Sequence, residues 1–251
     1  MPRPKKKLIL FLVEGFTDEE ALHRPIANFL TDVNEEVVFD FVIVKGDLTS
    51  DFKNNPKNIE KRINDKHFRP YFSSNDFYYP KDVVKVIHLV DTDGCFIPDE
   101  NLLVWESGET VEFPYYSPPY IYHRNRDFLI KRNATKATNL KFLIALDKIK
   151  VVSKTIPYEV YYFSSNLDHC LNGEENINLS TQEKIERAGL FADANENDSK
   201  LFLAFFKDYI PNPDEITYSD SWDFVTQGVN SLQRYSNFYL GLKKLKEDLT
   251  P

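Results

Sequence analysis

Four short apolar runs recur along the chain, each bounded by polar, charged or proline residues: Leu8–Val13, Val37–Val44, Asp82–Val90 and Tyr158–Phe163. They are rich in β-branched and aromatic residues and too short for helices, so they predict buried strands of a parallel sheet. The segments between them carry a helical period. Over Thr17–Leu30, residues Leu22, Ile26, Phe29 and Leu30 share one face, Thr17 and Glu20 stand at capping-box spacing, and Pro25 interrupts the middle. Helices are also predicted over Asn58–Phe68 and over Arg126–Ile149, the latter with Phe128, Leu129, Leu140, Leu143, Ile144 and Leu146 as core candidates. From Ile97 to Pro119 the pattern breaks. Leu102–Glu106 and Glu109–Phe113 around Ser107-Gly108 predict a β-hairpin, and the Pro-rich Phe113–Tyr120 an extended stretch. Past Thr181 the pattern is helical again, over Gln182–Leu190, Ser199–Tyr209 and Val229–Leu245. Strands alternating with helices imply an α/β fold. The expected form is a Rossmann-like, mostly parallel central sheet flanked by helices, with a β-hairpin insertion and a helical C-terminal part. Residues 1–175 would form the α/β domain, with the insertion at about 97–120, and 176–251 a helical extension packed on it.

Charge narrows the partners. With 39 acidic against 31 basic residues the net charge is −8, which argues against a non-specific nucleic-acid coat. It leaves open an enzyme whose metal ions bridge its acids to phosphates. Cys95 and Cys170 stand in no CxxC or CxxH pairing, so they read as buried free thiols, not as a zinc site or disulfide. No apolar run approaches the ~20 residues that span a bilayer. The basic start Arg3–Lys7 and the run Leu8–Val13 are too short for a signal peptide, so a cytoplasmic protein is expected.

The candidate chemistry lies where the apolar runs stop. Ile87–Val90 ends at Asp91-Thr92-Asp93-Gly94, and Leu8–Val13 ends at Glu14-Gly15. Parallel sheets bind ligands at the carboxyl ends of their strands. Carboxylates gathered there suit a hard cation such as Mg2+ or Mn2+, which takes one or two of them and fills its shell with water and phosphate oxygens. A lone carboxylate after a strand is more often a cap or turn former. Glu14 together with Asp91 and Asp93 is harder to explain that way. The Ser164–Leu171 segment also follows a strand, and its Asn166, Asp168 and His169 could face the same crevice. Arg124, Arg126, Lys131, Arg132, Lys136 and Lys141 form the densest basic segment. It reads either as a solvated helix face or, through Arg124, Arg126, Lys131 and Arg132, as a phosphate-backbone contact. His88, His123 and His169 are expected to be structural.

Glu14-Gly15 followed by Thr17-Asp18 resembles the glutamate motif of the Toprim fold, and Asp91-Thr92-Asp93-Gly94 resembles its DxD motif. That resemblance implies a compact parallel sheet with helices on both faces and Mg2+-dependent cleavage or joining of phosphodiesters. Glu14 would be general acid/base or metal ligand, and Asp91 and Asp93 would hold the ion. Ser164–Leu171 resembles a later acidic motif of small stand-alone OLD/RloB-type proteins, which adds Asp168 as a ligand. No GxxxxGK[ST] phosphate loop is present, so any ATPase would be a separate subunit. The expectation is a small Mg2+-dependent nuclease on DNA or RNA, in phage defence or nucleic-acid processing, with self-association left open. Two alternatives stand beside it. One is a catalytically inactive Toprim-like binding or scaffold subunit. The other is a haloacid-dehalogenase-like phosphatase, whose first motif Asp91–Gly94 resembles and whose late acidic motif Gly46–Asp51 matches out of order.

Overall fold

The computed structural model describes residues 7–44, 46–108, 112, 114–173 and 179–250. In chain order, strand β1 (Lys7–Val13) leads through helix α1 (Phe16–Val33) to β2 (Val37–Ile43). Helices α2 (Ile59–Ile63) and α3 (Arg69–Ser74) follow, joined without a break by a π-helical turn at Asn64–Phe68, and then β3 (Val83–Asp91). A small excursion holds β4 (Leu102–Val104), β5 (Tyr115–Ser117) and β6 (Tyr120–His123). Helix α4 (Arg126–Ile144) returns to the main sheet through β7 (Lys148–Val151) and β8 (Lys154–Phe163). The chain ends in α5 (Leu167–Asn172), α6 (Thr181–Asn195), α7 (Ser199–Lys207), α8 (Tyr218–Val225) and α9 (Phe238–Leu249).

The main sheet has five strands in the order β2-β1-β3-β8-β7. The first four run parallel, and β7 pairs antiparallel with β8 at the edge. Strand β1 shows why both faces are covered. Its side chains alternate between the two sides, and nearly all of them are buried. Leu8, Leu10 and Leu12 join a core with Leu140, Leu143, Trp222 and Val225 from α4 and α8. Ile9, Phe11 and Val13 join a second core with Leu22 and Ile26 of α1, Phe202 and Phe206 of α7, and Leu242 of α9. A strand buried on both faces has no use for polar alternation, which is why it appears as an unbroken apolar run.

The C-terminal third is laced into the sheet by main-chain bonds as well as by packing. The Ser164 N–H donates to Tyr235 O at 2.8 Å, and Asn237 Oδ1 accepts the Tyr162 N–H at 2.7 Å. Phe163 and Ser236 form an isolated antiparallel bridge.

Several local expectations are corrected. Strand β4 pairs in parallel with β6, not with a following hairpin partner. Of the second strand proposed for that hairpin, residues 109–111 and 113 lie outside the described residues. The hairpin that does form is β5–β6, from the stretch expected to be merely extended. Its strands close through the cis Pro118-Pro119 turn, and the tyrosines and isoleucine on either side favour a pleated surface. Lys148 and Ile149, read as the end of the long helix, belong to strand β7 (Lys148–Val151). Its Lys-Ile-Lys-Val alternation buries Ile149 and Val151 and exposes the lysines, the signature of an edge strand. Helix α8 falls where no helix was expected, and the last helix begins at Phe238, not Val229.

Candidate functional site

The sheet order creates a crevice at one position. From β1 the chain moves outward through α1 to β2, then crosses back over β1 to β3. Helices α1 and α2 consequently pack on opposite faces. Such a reversal opens a gap between the two central strands at their carboxyl ends. Leu12 pairs with His88, so Glu14, just past β1, and Asp91, the last residue of β3, flank that gap.

Local structure explains how each acid is held. Gly15, not Thr17, is the N-cap of α1, and the Asp18 carboxylate reaches back to accept the Gly15 N–H at 2.9 Å. Thr92, between the two aspartates, is fully buried. Its N–H donates to Phe163 O at 2.9 Å, and its hydroxyl donates to Ser231 O at 2.9 Å and accepts the Ser165 N–H at 3.0 Å. The threonine is thus an anchor that presents its neighbours. Beyond it the backbone turns left-handed at Asp93 (φ 47°) and Gly94 (φ 65°). Asp91 Oδ1 accepts the Leu167 N–H from the start of α5 at 3.0 Å.

Lys136 of α4 enters this cluster with its side chain fully buried. Its ammonium donates to Asp93 Oδ2 at 2.5 Å and to Asp47 Oδ2 at 3.0 Å, and lies 3.9 Å from Glu14 Oε1. Arg132, one turn earlier, donates to the same Asp93 oxygen at 2.8 Å. Asp47, in the loop after β2, also accepts from the Thr49 and Ser50 N–H groups. Glu14 Oε1 is buried and accepts no hydrogen bond among the described residues.

The acids divide by charge environment. Burial, together with the charges of Glu14, Asp18 and Asp93, pushes the Asp91 carboxyl well above the ordinary carboxylate range. Glu14 is raised likewise, by burial and by Asp47 and Asp93, against the pull of Lys136. Asp18 is raised to about 6, again by burial, with the charge of Asp168 adding and the Gly15 N–H opposing. Burial would raise Asp47 too, but Lys136 and its hydrogen bonds hold it below the usual range. Burial opposes charge on Lys136, and Asp47, Asp93 and Glu14 overcome it and keep the ammonium protonated. One half of the cluster is an internally neutralised set, Asp47, Asp93, Lys136 and Arg132. The other half, Glu14, Asp91 and Asp18, is a crowded set of acids with raised pKa values, touched by the Lys136 ammonium 3.9 Å from Glu14 Oε1.

No family model matches the chain, and no curated protein or solved structure matches it. The site therefore rests on its own geometry.

The structure brings Glu14, Asp91 and Asp93 to one crevice, with Asp168 on α5 close enough to act on Asp18. Asp168 Oδ1 accepts the Asn172 side-chain N–H at 2.8 Å. The four basic residues proposed for phosphate contact separate. Arg126 donates to the carbonyls of Leu102 and Asp99, both at 2.7 Å, and so ties α4 to the small sheet. Arg132 is held by Asp93. Lys131, in the second turn of α4, and Arg124, just before the helix, are exposed. Of the histidines, His88 is buried against the Tyr158 hydroxyl at 2.6 Å, and His123 Nδ1 accepts the Asn125 N–H at 2.9 Å before α4 begins.

Two residues were not expected at the acid site, Asp47 being read only within the phosphatase-like Gly46–Asp51 motif. Asp47 follows a strand as Glu14 does and carried the same signal. Lys136 was counted on a solvated or phosphate-facing surface. Its position on α4 tells otherwise, because Leu129, Asn133, Lys136, Leu140 and Leu143 form the buried stripe. Polar residues at core spacing on a helix point inward to a polar site.

Proposed function

We propose that this protein is a Mg2+-dependent nuclease that hydrolyses phosphodiesters at the crevice between β1 and β3. The observation that carries the reading is the pair Glu14 and Asp91. They flank the switch point of the sheet, their carboxyls are crowded out of their ordinary ionisation, and Glu14 Oε1 accepts no hydrogen bond among the described residues. Lys136 only partly offsets the crowding of this acid pair, and an all-oxygen donor set suits Mg2+. Among the described residues no three Asp, Glu, His or Cys side chains are grouped to hold one ion. The ion proposed here would take the two carboxylates of Glu14 and Asp91 and complete its shell with water and substrate.

In this reading Glu14 and Asp91 hold the ion, with Asp18 behind them. When bound, Mg2+ supplies Lewis-acid polarisation of a phosphoryl oxygen and an acidified water. The chain's own groups do the rest. Lys136 and Arg132 keep Asp93 and Asp47 neutralised and place fixed positive charge beside the scissile phosphate. Asp18, raised to about 6, is suited to exchange a proton near neutral pH.

Lys136 also favours a second reading. An ammonium shared by Asp93, Asp47 and Glu14 already neutralises much of the acidity, as a binding or scaffold subunit without chemistry would require. Cleavage of labelled single- and double-stranded DNA and RNA with Mg2+ or Mn2+ separates the two, using wild type, Glu14→Gln and Asp91→Asn. Metal-dependent cutting abolished in both variants supports the nuclease. Absence of both cutting and metal binding by calorimetry leaves the scaffold.

A further inference from the structure

At the outer end of α4 two large rings lie open to solvent. Phe52 is 43% exposed and Phe128 42%. They meet edge to face with centroids 5.6 Å apart, and His123 stacks on Phe128 at 5.0 Å with 24° between the planes. The Lys131 ammonium lies 4.9 Å from the centre of the Phe52 ring. Phe52 and Phe128 are not among the buried residues of the hydrophobic clusters. The two rings and the cation set against them make one exposed aromatic group.

Its position ties it to the acid site along two elements. Phe128, Arg132 and Lys136 follow at intervals of four on α4, so each stands about 6 Å further along the same side of the helix. The first is exposed, the second binds Asp93 and the third is buried among the acids. Opposite them, the loop after β2 carries both Asp47, which holds Lys136, and Phe52. A ligand phosphate at Arg132 would have this aromatic surface within the reach of a nucleotide or two.

We propose that Phe52, Phe128 and His123, with Lys131, form a base-stacking surface that makes single-stranded nucleic acid the preferred substrate. The proposal rests on the nuclease reading above for what lies at the other end of the strip. Exposed rings stack on any nucleobase face, and a neighbouring ammonium both strengthens the aromatic contact and meets the backbone phosphate. A duplex hides its base faces and cannot use such a surface. The net charge of −8 denies the protein a general attraction to nucleic acid, so affinity must come from local contacts of this kind.

The test is fluorescence anisotropy with fluorescein-labelled 12-nucleotide single strands of DNA and RNA and a duplex of the same sequence, in Ca2+ to hold back cleavage. Wild type is compared with Phe52→Ala, Phe128→Ala and Phe128→Trp. Both alanine variants should weaken single-strand binding on the order of tenfold, with duplex binding unchanged and Phe128→Trp close to wild type. Single-strand affinity unchanged in both alanine variants overturns the stacking surface alone, and so does an equal loss for the duplex. If wild type binds neither single strand nor duplex, the stacking surface and the nuclease reading fall together. Full binding with no cutting in Mg2+ counts against the nuclease reading and leaves the stacking surface standing.

Discussion

The Lys136 ammonium lies 2.5 Å from the Asp93 carboxylate, deep in the protein, with Asp47 sharing the same charge at 3.0 Å. The DxD pair is therefore not symmetric. Asp93 is paired with internal cations, whereas Asp91 accepts the Leu167 N–H and, in the proposed reading, meets the metal ion together with Glu14.

Lys136→Met should remove the positive centre and strand three acids. Breaking a buried charge network in this way costs about 3–5 kcal/mol of stability. Mg2+ or Mn2+ should recover more of that loss in the variant than it adds to wild type, because the vacated acids accept the ion. Urea unfolding with and without metal measures both quantities. Equal metal stabilisation of the two proteins would show that the lysine does not share a site with the cation.

Asp18 gives a pH signature. Its folded-state value, about 6, lies above that of an unfolded aspartate. Its contribution to stability is therefore complete below about pH 4 and is lost as pH rises toward 6, on the order of 1 kcal/mol per pH unit. Asp18→Asn keeps an acceptor for the Gly15 N–H and has no charge to lose. In metal-free buffer the variant should gain on wild type between pH 4 and 6. A stability difference that stays constant over that range contradicts the assignment.

Gly94→Ala should damage the site from beneath. The residue has φ 65°, and a Cβ there would stand 2.7 Å from Ile121 Cδ1 and press into Leu232. Strain and overpacking together cost about 2–4 kcal/mol. Because the same turn carries Asp93, which holds Lys136 and Arg132 beside the proposed ligands Glu14 and Asp91, metal affinity should fall as well. Calorimetric titration with Mn2+ alongside thermal unfolding reads both effects.

Cys95 and Cys170 are buried and unpaired. Burial pushes the Cys95 thiol up to about 12 and raises Cys170 as well. Both should be inert to a thiol-reactive dye at pH 8 in the native protein, and both should react promptly in denaturing urea. Fast labelling of either in the folded state would mean that the surrounding core opens.

The amino-acid sequence alone determined the parallel core of the sheet and the acids at its strand ends. Buried strands must be apolar throughout, and Glu14, Asp91 and Asp93 stood out because charge follows such runs abruptly. The α1 helix was legible for a related reason, since one of its faces must be apolar. Tertiary structure decided the rest. Residues as far apart in sequence as Asp47 and Lys136 meet only because β2 and α4 close on the same crevice. Whether a lysine on a helix faces water or a buried acid cluster depends on what packs against that face. The edge strand β7 and the β5–β6 hairpin were hidden because half-exposed, lysine- or proline-bearing segments carry weak local preferences. Those strands form because neighbouring strands offer them hydrogen-bond partners.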